Sequence, residues 1–345
     1  MASSTRHCEQ VTILIRPKGP FRLEELATFG FGQRFDGSFD GTMRLAFCVD
    51  GFAGHAGVAV TQDTTGVVRA SVEATAGAPS EAAVAAQVAR VLSLDKDARG
   101  YVDVGQRDPV VAGLLAAAPG LRPPLFYSPY EAALWVALSS RRNRKTASTW
   151  RARLSQVAGA RFVVAGVEMD AVPAPERVVA LGAAGVQAAT GVEPLRAERV
   201  VNVAAAAVTG ILDVVSLANL EHGAAAARLR TIPGIGAFYA DLILLRATGA
   251  TDRLRGDEPI LRSVIGRLYD LGGPATPAEV TRIAEGWSPW RTWVAVLARA
   301  AGPRLLGGVQ DDRVVDLSRP RLAGHRRLTC SVGAGGAPAR HADRG

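Results

Sequence analysis

Apolar and polar positions along the chain follow two regimes. Up to about residue 72 the apolar positions come in short runs rich in β-branched side chains. Val11-Thr12-Ile13-Leu14-Ile15, Arg44-Leu45-Ala46-Phe47-Cys48-Val49, Gly57-Val58-Ala59-Val60-Thr61 and Gly66-Val67-Val68-Arg69-Ala70-Ser71-Val72 read as strands. The turn pairs Asp36-Gly37, Asp40-Gly41 and Asp50-Gly51 punctuate them. A short helix is expected over 21–29. One helix among several antiparallel strands gives an α+β sheet domain, placed at 1–75.

From residue 76 the spacing becomes helical. Over 80–92, Val84, Val88 and Val91 share one face, with Ser80 as cap and Glu81 in the first turn. Asp108-Pro109 and Ser128-Pro129-Tyr130-Glu131 each place a capping side chain before a proline and open a helix. Thr276-Pro277-Ala278-Glu279 spells a capping box. Successive short helices make a bundle over 76–305. The remainder, 306–345, is rich in Gly, Ala and Arg and is expected to be a largely disordered tail.

The helical region is organised around residues 229–265. Ile232-Pro233-Gly234-Ile235-Gly236 sits between an Ala-rich helical pattern and an apolar one over 239–247. Two glycines around one apolar residue allow a tight turn that bares backbone N–H groups at a helix start. Such a turn suits an anion, including a nucleic-acid phosphate. It also fits an ordinary connection with glycines at a cap. Some twenty residues on, Asp257-Glu258 precede Pro259 at another helix start, followed later by Trp287-Ser288-Pro289-Trp290-Arg291. The two acids suit a helix N-terminus through the macrodipole alone.

Composition and charge add little to this. The chain has 345 residues, 48% hydrophobic and only 6% aromatic, which accommodates two or three domains. The formal net charge of +8 favours a polyanionic partner. Residues 319–345 hold six Arg and one Asp, so much of that excess lies in the tail. Cys8, Cys48 and Cys330 form no C-x-x-C, as in a reduced, intracellular protein. There is no run of about eighteen apolar residues and no signal-peptide core at the N-terminus, so no membrane partner is expected.

The order of these motifs resembles the helix-hairpin-helix DNA glycosylases, and within them the 3-methyladenine DNA glycosylase II branch. There a PGIG-x-aromatic hairpin is followed by a catalytic acid and a W-x-P-W-R segment. The likeness covers most of 126–301. It implies an N-terminal sheet domain followed by an all-α helix-hairpin-helix bundle. It also implies a monomer acting on double-stranded DNA with damaged bases, cytoplasmic and nucleoid-associated. Counting from Pro233 places Glu258 on the family's catalytic acid, while Asp257 has the family's residue type. The resemblance assigns the hairpin residues Pro233, Gly234, Ile235 and Gly236 to the DNA backbone. It sets Ser140 and Arg141 at the segment that enters the duplex. Arg142, Arg144 and Lys145 follow in a stretch, 141–153, with six basic residues and no acid. This sequence departs from the family at Ser140, where a glutamine is usual.

Phe238 and Tyr239 are candidates for the base pocket, with a core role as the alternative for each. Phe238 stands where relatives that cut the strand carry lysine, so a monofunctional enzyme is implied. The resemblance implies no organic cofactor, no iron–sulfur cluster and no other metal site beyond a monovalent cation at the hairpin carbonyls. The implied activity is hydrolysis of the N-glycosidic bond of a flipped, 3-methyladenine-like base in base excision repair. A catalytically weak or silent homologue that binds DNA damage is the alternative.

Overall fold

A computed structural model describes residues 11–29 and 39–307. Cys8, Cys330, the Asp36-Gly37 turn and all but the first two residues of the expected tail lie outside the described residues.

Strands β1 (Val11–Ile15), β2 (Met43–Cys48), β3 (Gly54–Gln62) and β4 (Val68–Gly77) form an antiparallel sheet in the order β1-β4-β3-β2. Val60 faces Met43 on one side and Ala70 on the other, and the register shifts between Gly57 and Val58. The two faces differ in residue size, and that decides what covers each. Leu45, Phe47, Val58, Val60 and Ala70 pack against Leu23 and Leu26 of α1 (Leu23–Thr28) and against Val84, Val88 and Val91 of α2 (Glu81–Val91). Burial of such branched side chains is worth about 1.5–3 kcal/mol each. The opposite face carries Ala46 and Ala59 and accepts Phe162, Val164 and Ala171. Gly57 lies under that contact. A Cβ there would stand 2.9 Å from Val164 Cγ2 and 3.1 Å from Phe162 Cβ.

Phe162 and its neighbours belong to a hairpin of β5 (Ala160–Val164) and β6 (Val167–Ala171). The region 76–305 is therefore not all helical, contrary to the sequence reading. Each strand has five residues, too few to show a period beside long helices. The signal lies in the run Phe162-Val163-Val164 and in Ala165 (φ 45°) with Gly166 (φ 76°). Two consecutive left-handed residues match the twist of a two-residue hairpin turn.

The other helices are α3 (Val104–Arg107), α4 (Pro109–Ala117), α5 (Pro129–Ser139), α6 (Arg144–Ala158), α7 (Pro175–Thr190) and α8 (Pro194–Val208), then α9 (Val214–Asn219), α10 (His222–Arg230), α11 (Ala237–Ala247), α12 (Pro259–Leu268), α13 (Pro277–Ala284) and α14 (Arg291–Leu305). Their starts follow the side chains seen in the sequence. Ser80, Asp108 and Ser128 accept backbone N–H bonds as caps, and Thr276 with Glu279 closes a capping box. One core joins α5, α8, α10 and α11 through Leu134, Leu138, Val200, Val203, Leu229 and Ile243. A second joins α4, α12 and α14 through Val111, Leu114, Leu261, Ile265, Val294 and Leu297, with Trp287, Trp290 and Trp293.

Arg122 ties these layers together. Its guanidinium is fully buried and donates to the carbonyls of Pro20 (2.9 Å), Ser93 (3.0 Å), Lys96 (3.3 Å), Lys18 (2.7 Å) and Gly19 (3.0 Å). It also stands 5.7 Å from the ring centroids of both Phe21 and Trp293. Burial pulls its pKa down to about 10, so it stays charged at neutral pH. A guanidinium has five N–H donors in a fixed fork, which suits this set of carbonyls. We expect Arg122→Met to lower stability by more than about 3 kcal/mol, because several buried acceptors lose their donor at once. The measurement is a shift in denaturant midpoint at unchanged slope. Arg122→Lys, with three donors, should recover less than half of the loss. A change within about 1 kcal/mol for the Met variant would show that the clamp carries no weight.

Candidate active site and nucleic-acid interface

The turn between α10 and α11 splits its residues between core and surface. Ile232 and Ile235 are buried beside Leu229, Ala240 and Ile243. Pro233, Gly234 and Gly236 are exposed. Gly234 has φ +94°, and a Cβ there would come 3.0 Å from Arg199 Cδ, so only glycine fits without movement. Gly236 caps α11 with no side-chain hydrogen bond, so no side chain competes for the first N–H groups of the helix. The turn thus offers backbone outward. Of the four residues expected at the DNA backbone, Ile235 has its side chain in the core and its N–H on the Ile232 carbonyl (3.0 Å).

Phe238, second in α11, lines a small pocket with Glu258, Leu242, Leu245, Leu261 and Val296. Arg246, Arg253, Arg255, Thr292, Ala295 and Arg299 complete the wall. Its three sides are α11, the start of α12 and α14. Glu258 is the cap of α12. Ile260 N–H donates to its Oε1 (3.2 Å) and Leu261 N–H to its Oε2 (2.8 Å), while Arg299 Nη1 stands 3.5 Å from Oε2. Its side chain is 14% exposed. Asp257 points elsewhere. Its carboxylate is 62% exposed and accepts from Arg255 Nη2 at 2.7 Å. The two acids are adjacent in sequence, but only Glu258 faces the pocket.

Tyr239 is not among the pocket residues. It packs against the core of α5, α8 and α11 and meets Phe238 edge to face at 5.2 Å between centroids. Neighbouring residues on a helix point about 100° apart, so Phe238 can line the pocket while Tyr239 packs on the core.

The basic stretch divides into buried and exposed members. Arg151 Nη2 donates to the buried Glu131 carboxylate (2.6 Å), and Arg153 Nη1 to the Thr190 carbonyl (3.1 Å). Arg142 is paired with Glu193 and lies 6.0 Å from the Trp150 centroid. Arg196 covers the same ring at 5.2 Å and donates to the carbonyls of Ala137 (2.8 Å), Leu138 (2.8 Å) and Ser140 (3.1 Å). Trp150 is half-buried, packed against the core of α5, α8, α10 and α11 on one side and covered by these two guanidinium groups on the other. Ser140 caps α5, Arg141 is exposed with φ +58°, Arg144 is half-buried and Lys145 is exposed.

Trp287, Trp290 and Arg291 serve structure. Trp287 Nε1 donates to Asp108 Oδ2 (3.1 Å), and Trp290 packs on Tyr101 and Trp293. Asp252 accepts from Ser288 Oγ (3.0 Å) and from Arg291 N–H (3.2 Å). Sequence reading did not single out Arg255, Asp241 or Arg299. Arg299 had a signal. Thr292, Ala295, Val296 and Arg299 fall at i, i+3, i+4 and i+7, which puts a cation on the inward stripe of α14.

Among the described residues no group of three or more His, Cys, Asp or Glu is placed to hold a metal ion. The cysteine that can be described, Cys48, is buried, and burial pushes its pKa well above the usual thiol range. No described helix is long and apolar enough to cross a membrane.

No family model matches the chain. Among curated proteins it is 30% identical to DNA-3-methyladenine glycosylase 2 of Escherichia coli over 178 residues, which is 52% of this chain and 59% of that protein. The match thus spans less than two thirds of that relative's length. Among solved structures it superposes on a 3-methyladenine DNA glycosylase from Archaeoglobus fulgidus with a TM-score of 0.66 at 20% identity, covering 83% of this chain and 96% of that one. The Clostridium acetobutylicum 8-oxoguanine glycosylase/lyase in its apo form gives a TM-score of 0.59 at 15% identity, covering 86% and 98%. By sequence the chain is similar to DNA-3-methyladenine glycosylase 2 over about half its length, and by fold it is similar to these two solved glycosylases.

Proposed function

We propose that the protein is a monofunctional DNA glycosylase of base excision repair that removes alkylated bases from duplex DNA. The observation that carries this reading is the meeting of Phe238 and Glu258 in one pocket beside an outward-facing backbone turn. A base–sugar bond inside a stacked duplex cannot be reached, so the nucleotide is flipped out. The turn at Pro233, Gly234 and Gly236 binds a phosphate through the main-chain N–H groups of Gly234 and Gly236, proline having none. Turn carbonyls such as that of Ile232, which accepts a single backbone N–H from Ile235, keep a lone pair for a monovalent cation. Such a cation would add positive charge toward the phosphate.

As the glycosidic bond breaks, the base leaves with the bonding pair and the sugar gains oxocarbenium character. The Glu258 carboxylate stabilises that charge and takes a proton from the water that adds to the sugar. A base made cationic by ring alkylation leaves neutral, whereas a neutral base leaves as an anion and takes up the proton that Glu258 removed from the water; an abasic site remains. No lysine lines the pocket, and Phe238 cannot form an imine, so the strand is left uncut. Arg141 and Lys145 meet the DNA, with Ser140 holding the turn. Arg142 and Arg144 add attraction once Arg142 releases Glu193. In this reading the region 1–75 buttresses the catalytic region 76–305, the tail 306–345 adds non-specific attraction, and the protein acts as a monomer in the cytoplasm on the nucleoid.

A catalytically silent damage-binding homologue is the second reading. It draws on the engagement of Glu258 by two backbone N–H groups and Arg299. Base release separates the two. Glu258→Gln should lower release from methylated duplex by about 10²–10⁴-fold with duplex affinity retained, whereas Asp257→Asn should keep most of the rate. Release by neither the wild type nor Asp257→Asn, with tight binding by both, would favour the silent homologue.

Arg141→Ala and Lys145→Ala should weaken binding evenly across sequences. Each is expected to reduce the slope of log affinity against log salt by about one for every phosphate that the side chain neutralises. Unchanged slopes in both would remove this segment from the interface.

A further inference from the structure

The Ser140-Arg141 turn is held by a side chain from another helix. α5 ends at Ser139, Ser140 caps it, and Arg141 continues in the left-handed region at φ +58°. A backbone that leaves a helix strands the last carbonyls, because no N–H of a further turn reaches them. Arg196 of α8 supplies donors there. Its Nη1 donates to the carbonyls of Ala137 and Leu138 (2.8 Å each) and its Nη2 to that of Ser140 (3.1 Å). Its Nε donates to Glu193 Oε2 at 3.0 Å, and its side chain is only 10% exposed. Only a planar fork of several N–H groups serves three carbonyls and a carboxylate at once. A cation at this end of α5 also complements the helix dipole.

Arg199 follows three residues later on the same side of α8 and reaches the other turn. Its aliphatic stem lies against Gly234, where a Cβ would stand 3.0 Å from Arg199 Cδ and 3.2 Å from Cγ. Ala197 and Val200, beside these two arginines, are buried in the core that α8 shares with α5, α10 and α11. A single turn of α8 therefore braces both the Ser140-Arg141 turn and the Gly234 turn.

On these grounds, and resting on the glycosylase reading, we propose that Arg196 is a positioning residue for base flipping. It holds the Ser140-Arg141 turn at a fixed offset from the Gly234 turn. One turn then grips the backbone while the other enters the stack at the matching step. Extruding a nucleotide costs on the order of a few kcal/mol in lost stacking and pairing. A side chain entering the duplex offsets that cost only if it arrives at the vacated place, and a misplacement of about 1 Å is enough to slow such a step 10²-fold. Arg196 acts through the turn and not on the DNA, because its N–H groups are engaged within the protein.

The test uses a duplex with 7-methylguanine on a 2′-fluoro sugar, whose electron-withdrawing fluorine disfavours the oxocarbenium and blocks hydrolysis. The neighbouring base is 2-aminopurine, which brightens as its stacking partner leaves. Arg196→Met keeps an apolar stem and removes the donors. It should slow the fluorescence rise at saturating protein about 10-fold or more, and slow single-turnover release from the natural sugar by a similar factor. Affinity for undamaged duplex should change by less than about twofold, with the same salt slope, because no phosphate contact is lost. Arg196→Lys keeps the charge and three donors without the fork. It should recover part of the unstacking rate, and it serves if the Met variant does not fold. An absent rise in the wild type, or a rate that neither substitution changes, would overturn the proposal. So would a loss of undamaged-duplex affinity in step with unstacking, which marks general damage to the fold. A salt slope lowered by about one would overturn it too, since Arg196 would then meet a phosphate itself. Absence of release from natural sugars with the unstacking difference intact would overturn the glycosylase reading and leave the positioning role standing.

Discussion

One guanidinium gathering five backbone carbonyls holds the layers of this molecule in place. Arg122 draws Lys18, Gly19 and Pro20, from the segment after β1, onto Ser93 and Lys96, from the loop after α2. Its Cζ lies over the Trp293 ring of α14, 5.7 Å from the centroid. The sheet region and the last helix thereby share one fixed point. That matters for chemistry because α14 supplies Thr292, Ala295, Val296 and Arg299 to the pocket wall. Arg90 does similar work nearby, donating to the carbonyls of Ala247 and Tyr127 (2.9 Å each) and so tying α2 to the end of α11. Charged donors on neutral carbonyls are strong hydrogen bonds, and their burial makes the joints intolerant of exchange.

The pocket itself is a convergence of three helices, each contributing a different property. α11 contributes an aromatic surface and an uncapped N-terminus, α12 a carboxylate at its start, and α14 a cation on its inward stripe. Its wall combines apolar side chains with ionic ones. The Glu258 carboxylate and the Arg299 guanidinium are both mostly buried there, where electrostatic effects are larger than in solution.

Much of the fold could be read from the chain because local rules and tertiary outcome agree. Ser80, Asp108, Ser128 and Thr276 cap the helices that their spacing implied, and the four strands appear where β-branched runs stood. The β5–β6 hairpin escaped because its strands are short and its turn, Ala165-Gly166, lacks the usual Asn or Asp. At the site the motifs were legible and their partners were not. PGIG and the acid pair are contiguous strings. Which of Asp257 and Glu258 faces inward depends on how the chain enters α12, and the cover of Phe238 by Arg255 depends on a loop returning over α11. Trp150 shows the same limit, since only the fold brings Arg142 and Arg196 to its ring. Pairings across long stretches of sequence leave no period to detect.

Glu258 starts a helix with the same two oxygens that look into the pocket. A carboxylate elsewhere on the wall could be lost, and the activity with it, while the scaffold stayed intact. On the proposed reading, a homologue that lacked the chemistry would still need an acceptor at position 258 for the sake of α12. Descendants without activity would therefore tend to preserve Asp, Asn, Ser or Glu there. An acid at this position in a distant relative is on its own a poor sign of catalysis, and the residues opposite it, at 238, 255 and 299, are the more telling ones to compare.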